Sequence, residues 1–246
     1  MHRFFVDENS ISGNTVKLSA SDSLHAYKVL RLGAGDKICV CDSVGFDYDG
    51  IINAASKDCV TVELSDKRPS GTEPDIKISL IQCLPKTGKM EVIIQKCVEL
   101  GVCDFYPVES ERCVVRPEPR SASAKIERYN KVAYEAAKQA VRGIIPCVHD
   151  FSRLKDHDFS QYDVVIIPYE EERELTMRAF AESCGALAKK GVRVAIIIGP
   201  EGGFEKSEVA DITEKGGTAV TLGKRILRTE TAGMAAVAML MGILEA

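Results

Sequence analysis

The chain has 246 residues, 45% of them hydrophobic, enough for one large buried core or for a small domain joined to a medium one. A formal charge of −4 excludes a molecule that grips nucleic acid over its whole surface, so any RNA contact has to be local. Nine cysteines, odd in number and never at Cys-x-x-Cys spacing, are read as reduced thiols, and His2, His25, His149 and His157 form no ligand spacing with them, so no metal is expected.

The N-terminus reaches Asp7 and Glu8 before an apolar run can form, which argues against a secretory signal and predicts a cytosolic protein. Short β-type runs follow at Lys37–Cys41, Tyr48–Ile52 and Cys59–Leu64, separated by turn signals, and together they predict a small barrel. One helix, about Ser21 to Leu30, interrupts them ahead of the turn Gly33-Ala34-Gly35-Asp36. Asp66 to Asp75 is polar and rich in breakers, so the domain boundary is placed there, with domains at 1–70 and 71–246.

Beyond the boundary, apolar runs alternate with helical patterns. Strands are expected at Ile76–Leu84, Phe105–Val108, Val164–Ile167, Arg193–Ile198 and Ala219–Leu222, with helices near Lys89–Leu100 and Ala122–Val141. Such alternation predicts an α/β domain whose parallel sheet is covered on both faces. The apolar stretch Ala232–Leu244 is shorter than the roughly 20 residues that span a bilayer, and it is read as a buried helix.

The most informative segment is Val194 to Phe204, an apolar strand running into Gly199-Pro200-Glu201-Gly202-Gly203 ahead of a helix. Open α/β sheets bind ligands at the carboxyl ends of their strands, where glycine lets the backbone come close. The segment is not a phosphate-binding P-loop, because Lys206-Ser207 follows Glu205 and not glycine, and its glycines miss the dinucleotide spacing. It also lacks the Gly-x-Ser-x-Gly elbow of acyl chemistry. Taken alone it reads first as an ordinary strand-to-helix turn.

A second turn of the same kind begins at Leu222-Gly223, 23 positions after Gly199, and continues through Lys224, Arg225, Ile226 and Leu227 to Arg228-Thr229-Glu230-Thr231. Two neighbouring strand-end turns can enclose one ligand. The polar cluster Arg228, Thr229 and Glu230 has a simpler reading as well: Thr229 as N-cap, with Glu230 favoured in the first helical turn.

With these residues in view, the chain resembles the RsmE family, ribosomal RNA methyltransferases of the SPOUT class that form N3-methyluridine in the small subunit. The resemblance rests on Arg3-Phe4-Phe5-Val6, His25, Val29-Leu30-Arg31, Gly35-Asp36, Lys96 and Glu99-Leu100-Gly101-Val102. It continues through Gln139, Arg142 and Pro146, Gly199 to Gly203, and Leu222 to Ala232, while Lys138 and Lys224 depart from the family pattern. It implies a PUA-like N-terminal barrel, a C-terminal domain with a deep trefoil knot, and a homodimer with sites near the interface. Connection rules alone would count against a threaded chain.

The resemblance further implies that S-adenosylmethionine is held by Ile198, Gly199, Pro200, Glu201, Gly202, Gly203, Leu222, Gly223, Arg225, Ile226 and Leu227, largely through backbone groups. Uracil N3 becomes nucleophilic only when its proton leaves and charge spreads over two carbonyl oxygens. An arginine fork can stabilise that anion, and Arg228 is assigned the role from its place at the second turn. Glu230 and Glu201 are the candidate proton acceptors, although positioning of the cofactor can make a dedicated base dispensable.

RNA-facing roles, for 16S rRNA within the small subunit, are expected of Arg3, His25, Arg31, Lys86, Lys89, Arg112, Gln139 and Arg142. Between Glu111 and Pro146 eight basic side chains stand against four acidic ones, a local positive balance that a solvated helix face with i, i+4 pairs would also give. Two other classes stay open at this point: a non-catalytic RNA-binding assembly factor, and an enzyme binding a nucleotide in the glycine turn.

Overall fold

The computed structural model describes residues 1–86 and 88–245, which divide into two compact units. The first comprises Met1–Glu73 and Ala137–Ile145; the second comprises Pro74–Ala136 and Pro146–Ala246. No helix of the described residues is long and apolar enough to cross a membrane.

The first unit is a curled five-stranded sheet in the order β1-β3-β4-β5-β2, with β1 Arg3–Phe5, β2 Thr15–Lys17, β3 Lys37–Cys41, β4 Phe46–Ala55 and β5 Val60–Pro69. Alternation of apolar and polar residues turns Phe4, Val16, Ile38, Val40, Ile52, Val60 and Val62 into a single buried cluster. The strand β5 runs beyond the predicted Leu64 to Pro69, because Asp47 and Phe46 of β4 still pair with Arg68 and Pro69 across a register shift. The expected helix at Ser21–Leu30 is two pieces: α1, Ala20–Leu24, capped by Ser19, and a wider π-type turn His25–Val29. That turn leaves His25, Tyr27, Lys28 and Val29 exposed, and Arg31 follows at φ +57.

Residues 137–145 join this unit through a carboxylate. Glu73 accepts from the Arg142 guanidinium at 2.7 Å and from the Gly143 N–H at 2.6 Å. Thr72 and Arg3 both donate to the carbonyl of Val141, which is held at φ +57, strained for a β-branched residue. A Cβ at Gly143 would overlap the Ser70 side chain.

Two sequence expectations are corrected here. Arg142, expected to face RNA, has a side chain only 3% exposed and is an internal ion pair. Arg3 is likewise held by Asp47 at 2.7 Å, with an 11% exposed side chain. Burial took both because each guanidinium found a carboxylate that its fork could match. Gln139 remains exposed, and Lys138 pairs with Asp22 at 3.3 Å.

The second unit is the expected α/β domain. Its strands are β6 Lys77–Cys83, β7 Val102–Glu109, β8 Cys147–Val148, β9 Ser152–Arg153, β10 Val164–Pro168, β11 Arg193–Ile198 and β12 Gly217–Val220. All pair in parallel, in the order β12-β10-β11-β6-β7-β8, with β9 also on β7. The helices are α2 Met90–Glu99, α3 Pro119–Gln139, α4 Met177–Ser183, α5 Lys206–Glu214 and α6 Thr229–Leu244.

The apolar runs of β10 and β11 are buried on both faces, as a parallel sheet under helices requires, and β6 is buried alike although Ser79 and Gln82 interrupt its apolar residues. Ile166, Ile167, Ile196 and Ile197 are fully buried, and each contributes roughly 1.5–3 kcal/mol by leaving water. The helix α6 packs on α2, α4 and β11. The last strand begins two residues before its predicted start, since Gly217 and Thr218 already pair with Val165 and Ile166. Leu222 is thereby released into the turn that lines the site.

Candidate active site

The carboxyl ends of β10, β11 and β12 open onto a cavity of about 1060 Å³. Its walls come from three loops: Pro168–Thr176 after β10, Ile198–Phe204 after β11, and Thr221–Thr229 after β12. Lys86 and Lys89, ahead of α2, complete it.

Glycine has a specific task at two positions. Gly223 sits at φ +115 with open space where a Cβ would stand, so the chain turns there without filling the cavity. Gly203, at φ +68, lies against Glu170, whose Oε1 would be 2.8 Å from an added Cβ.

The two turns are joined by Thr229. Its hydroxyl donates to the Gly199 carbonyl at 2.7 Å and accepts from the Gln82 amide at 2.9 Å. Thr229 is therefore not the N-cap that its sequence position suggests. Arg228 holds that position with extended backbone and no side-chain cap bond, while its carbonyl accepts from Ala232. The Arg228 side chain is left exposed on the cavity wall.

Beside it lies a charge cluster drawn from three segments. The Lys89 ammonium is 2.9 Å from Glu201 Oε1 and 3.0 Å from Glu230 Oε2. Glu201 also accepts from the Lys86 N–H at 3.0 Å. Burial alone would raise the Glu201 carboxyl, but the Lys89 and Lys86 hydrogen bonds outweigh it and hold it below its ordinary value. Glu230 is held low first by its own backbone N–H and then, against desolvation, by Lys89. Bonds to Glu201 and then to Glu230 raise Lys89 in return.

One further arginine braces the first turn from outside. Arg112 pairs with Glu205 at 2.8 Å and donates to the Gly202 carbonyl at 2.9 Å. A Cβ at Gly202 would stand 3.3 Å from the Arg112 side chain, and Gly202 is not among the residues that line the cavity. Glu205, which argued against a phosphate loop, serves with Glu208 as a capping box for α5.

Comparison with known proteins decides the family. The family described as "RNA methyltransferase domain" matches residues 72–241, and "RNA methyltransferase PUA domain" matches 18–65. The "Ribosomal RNA small subunit methyltransferase E" of Bacillus subtilis is 35% identical over 239 residues, 94% of this chain and 93% of that one. A crystal structure of the protein of that name from Neisseria gonorrhoeae, bound to S-adenosyl methionine, superposes with a TM-score of 0.82 at 30% identity, covering 99% of this chain and 98% of that one. The chain belongs to the ribosomal RNA small subunit methyltransferase E family.

In this family member, the cavity brings together Ile198, Gly199, Pro200, Glu201, Gly203, Leu222, Gly223, Arg225, Ile226, Leu227 and Arg228 from the sequence-predicted set, with Lys86 and Lys89. His25, Arg31 and Gln139 belong to the first unit and line none of it. Sequence reasoning missed the third wall, Pro168, Tyr169, Glu170, Glu172, Arg173 and Thr176. The available signal was position: these residues follow a strand, Val164–Ile167, that the apolar pattern did mark, and ligands gather at strand ends.

Proposed function

We propose that the chain transfers the methyl group of S-adenosylmethionine to N3 of a uridine in the 16S ribosomal RNA of the small subunit, and that it works as a homodimer. The observation that carries this reading is the three-loop cavity with Arg228, Glu201 and Lys89 on its walls. The cavity is at the upper end of small-molecule sites in size, and its donor set suits the cofactor. Ile198, Pro200, Leu222 and Leu227 offer apolar walls for a purine, Glu170 and Glu172 offer acceptors for hydroxyl or ammonium groups, and Arg225 or Lys86 a partner for a carboxylate. When bound, the cofactor supplies an electrophilic methyl on a cationic sulfur.

The chain's own residues supply the rest. Arg228 is exposed at the cavity and makes no side-chain cap bond, so its guanidinium can meet a uracil oxygen as charge develops there. Glu201 and Glu230, held ionised, can take the N3 proton.

RNA contact falls to the exposed His25, Lys28 and Arg31 of residues 1–70, which we read as the RNA-binding domain, and to the exposed Gln139 of the segment that joins the same unit. The homodimer is supported by α6, whose Ala238, Met239 and Gly242 are exposed although the helix is apolar all round. The trefoil knot belongs to the same reading and rests on the family likeness.

Mass spectrometry of ribosomal RNA from cells lacking the protein tests the reading. One N3-methyluridine should disappear from the small subunit and return with the purified chain and cofactor. Binding to the subunit without methyl transfer would point instead to a passive assembly factor.

A further inference from the structure

Lys89 lies on neither glycine turn, yet it pairs with one carboxylate from each side of the cavity, Glu201 after β11 and Glu230 at the start of α6. Its ammonium reaches Glu201 at 2.9 Å and Glu230 at 3.0 Å, and the three side chains are only 20–27% exposed. Two carboxylates brought to one cation would otherwise repel each other, and the cost of ionising both rises as water is excluded. Glu201 has a second support, since both its oxygens accept from the Lys86 N–H, at 3.0 and 3.4 Å.

We propose that Lys89 is a positioning residue for methyl transfer: by bridging Glu201 and Glu230 it keeps the pair ionised and fixed at the cavity edge, ready to receive the proton that leaves the target nitrogen. The inference rests on the methyltransferase reading above. In the step it serves, the uridine N3–H bond breaks, its electron pair stays on the ring, and the proton passes to a carboxylate oxygen of the pair. Lys89 keeps its own protons throughout. A lysine that only gripped RNA phosphate would need no carboxylate partner, and here it has two.

The other charged groups on the cavity walls are Lys86, Glu170, Glu172, Arg173, Arg225 and Arg228, with Lys224 beside them. Arg228 adds a favourable charge effect on Glu230, after that of Lys89. Among the described residues, Lys89 is the cation that pairs with both carboxylates. Removing it therefore raises the affinity of the pair for a proton, through the loss of an adjacent opposite charge. The rate should then suffer most at low pH.

The test compares the native chain with Lys89→Met and Lys89→Arg. In the chain without cofactor or RNA, a carbon-13 titration of the glutamate carboxyls should show two of them moving up in Lys89→Met and staying near their native values in Lys89→Arg. Single-turnover transfer to purified small subunits, at saturating cofactor from about pH 5.5 to 8, should give a Lys89→Met to native rate ratio that falls toward low pH, by about two-fold at pH 5.5. For Lys89→Arg the ratio should stay level. A level ratio for Lys89→Met, or carboxyls that do not move, overturns the positioning role and leaves a simple RNA or folding contact. A native chain that methylates no subunit at any pH brings down the methyltransferase reading itself, an outcome distinct from either.

Discussion

The hydroxyl of Thr229, the first residue of α6, donates to the carbonyl of Gly199 at 2.7 Å across 30 positions of sequence. The same oxygen accepts from Gln82 at the end of β6, so one buried side chain locks two turns and a central strand into one geometry. Thr229→Val keeps the shape and deletes the hydroxyl, leaving the Gly199 carbonyl and the Gln82 amide without this partner. Such a loss costs roughly 1–3 kcal/mol, and cofactor affinity should fall with it because the two turns lose their common register. Thr229→Ser should retain most of both. Thermal melts and calorimetry with S-adenosylmethionine read the two effects.

Arg228→Ala should separate chemistry from folding. The Arg228 side chain caps nothing, and its backbone carbonyl, which does, survives the substitution. Melting temperature and cofactor affinity should stay close to native while turnover falls about 100-fold, the scale for removing one anion-stabilising donor. Arg228→Lys should recover only part, since an ammonium lacks the planar fork. A variant that melts early yet transfers methyl normally once folded would sink the assignment.

Arg142→Ala should behave as a folding lesion. Its guanidinium is 3% exposed and paired with Glu73, and leaving that carboxylate without its cation is expected to cost about 3–5 kcal/mol. RNA affinity per folded molecule should be unchanged. A filter-binding series corrected for folded fraction checks it, with Arg31→Ala as the contrast: exposed and in no ion pair among the described residues, Arg31 should affect affinity and not stability.

His157 should make the protein acid-sensitive. Burial lowers its affinity for a proton, and its ring packs against Tyr106, Phe159 and Tyr162 with Nε2 3.2 Å from the Tyr162 hydroxyl. The unfolded chain, with an ordinary histidine near 6.5, therefore binds the proton more readily than the folded one. Stability is whole above that value and is lost as pH falls from about 6.5 through the lower folded one. Melting temperatures from about pH 8 to 5.5 should fall for the native chain and fall less for His157→Phe. Equal slopes would remove His157 from the acid response.

Much of this protein is legible without coordinates, for physical reasons. Short apolar runs rich in β-branched residues, such as Val164–Ile167 and Val194–Ile198, favour strands buried on both faces and so point to a parallel sheet, and Gly199 and Gly223 mark turns at or beyond strand ends, where such sheets open their cavities. Charge is different. The sequence presents Arg3, Arg112, Arg142 and Lys89 as equivalent cations, and only folding decides that Arg142 meets Glu73 inside the first unit, that Arg112 braces Gly202, and that Lys89 bridges Glu201 and Glu230. A partner 69 or 112 positions away leaves no local pattern, because ion pairing depends on distance in space and not on spacing along the chain. The wall from Pro168 to Thr176 was hidden for the same reason: nothing in Glu170 or Thr176 announces a site until β10 is placed between β11 and β12 and its loop closes over the cavity they share.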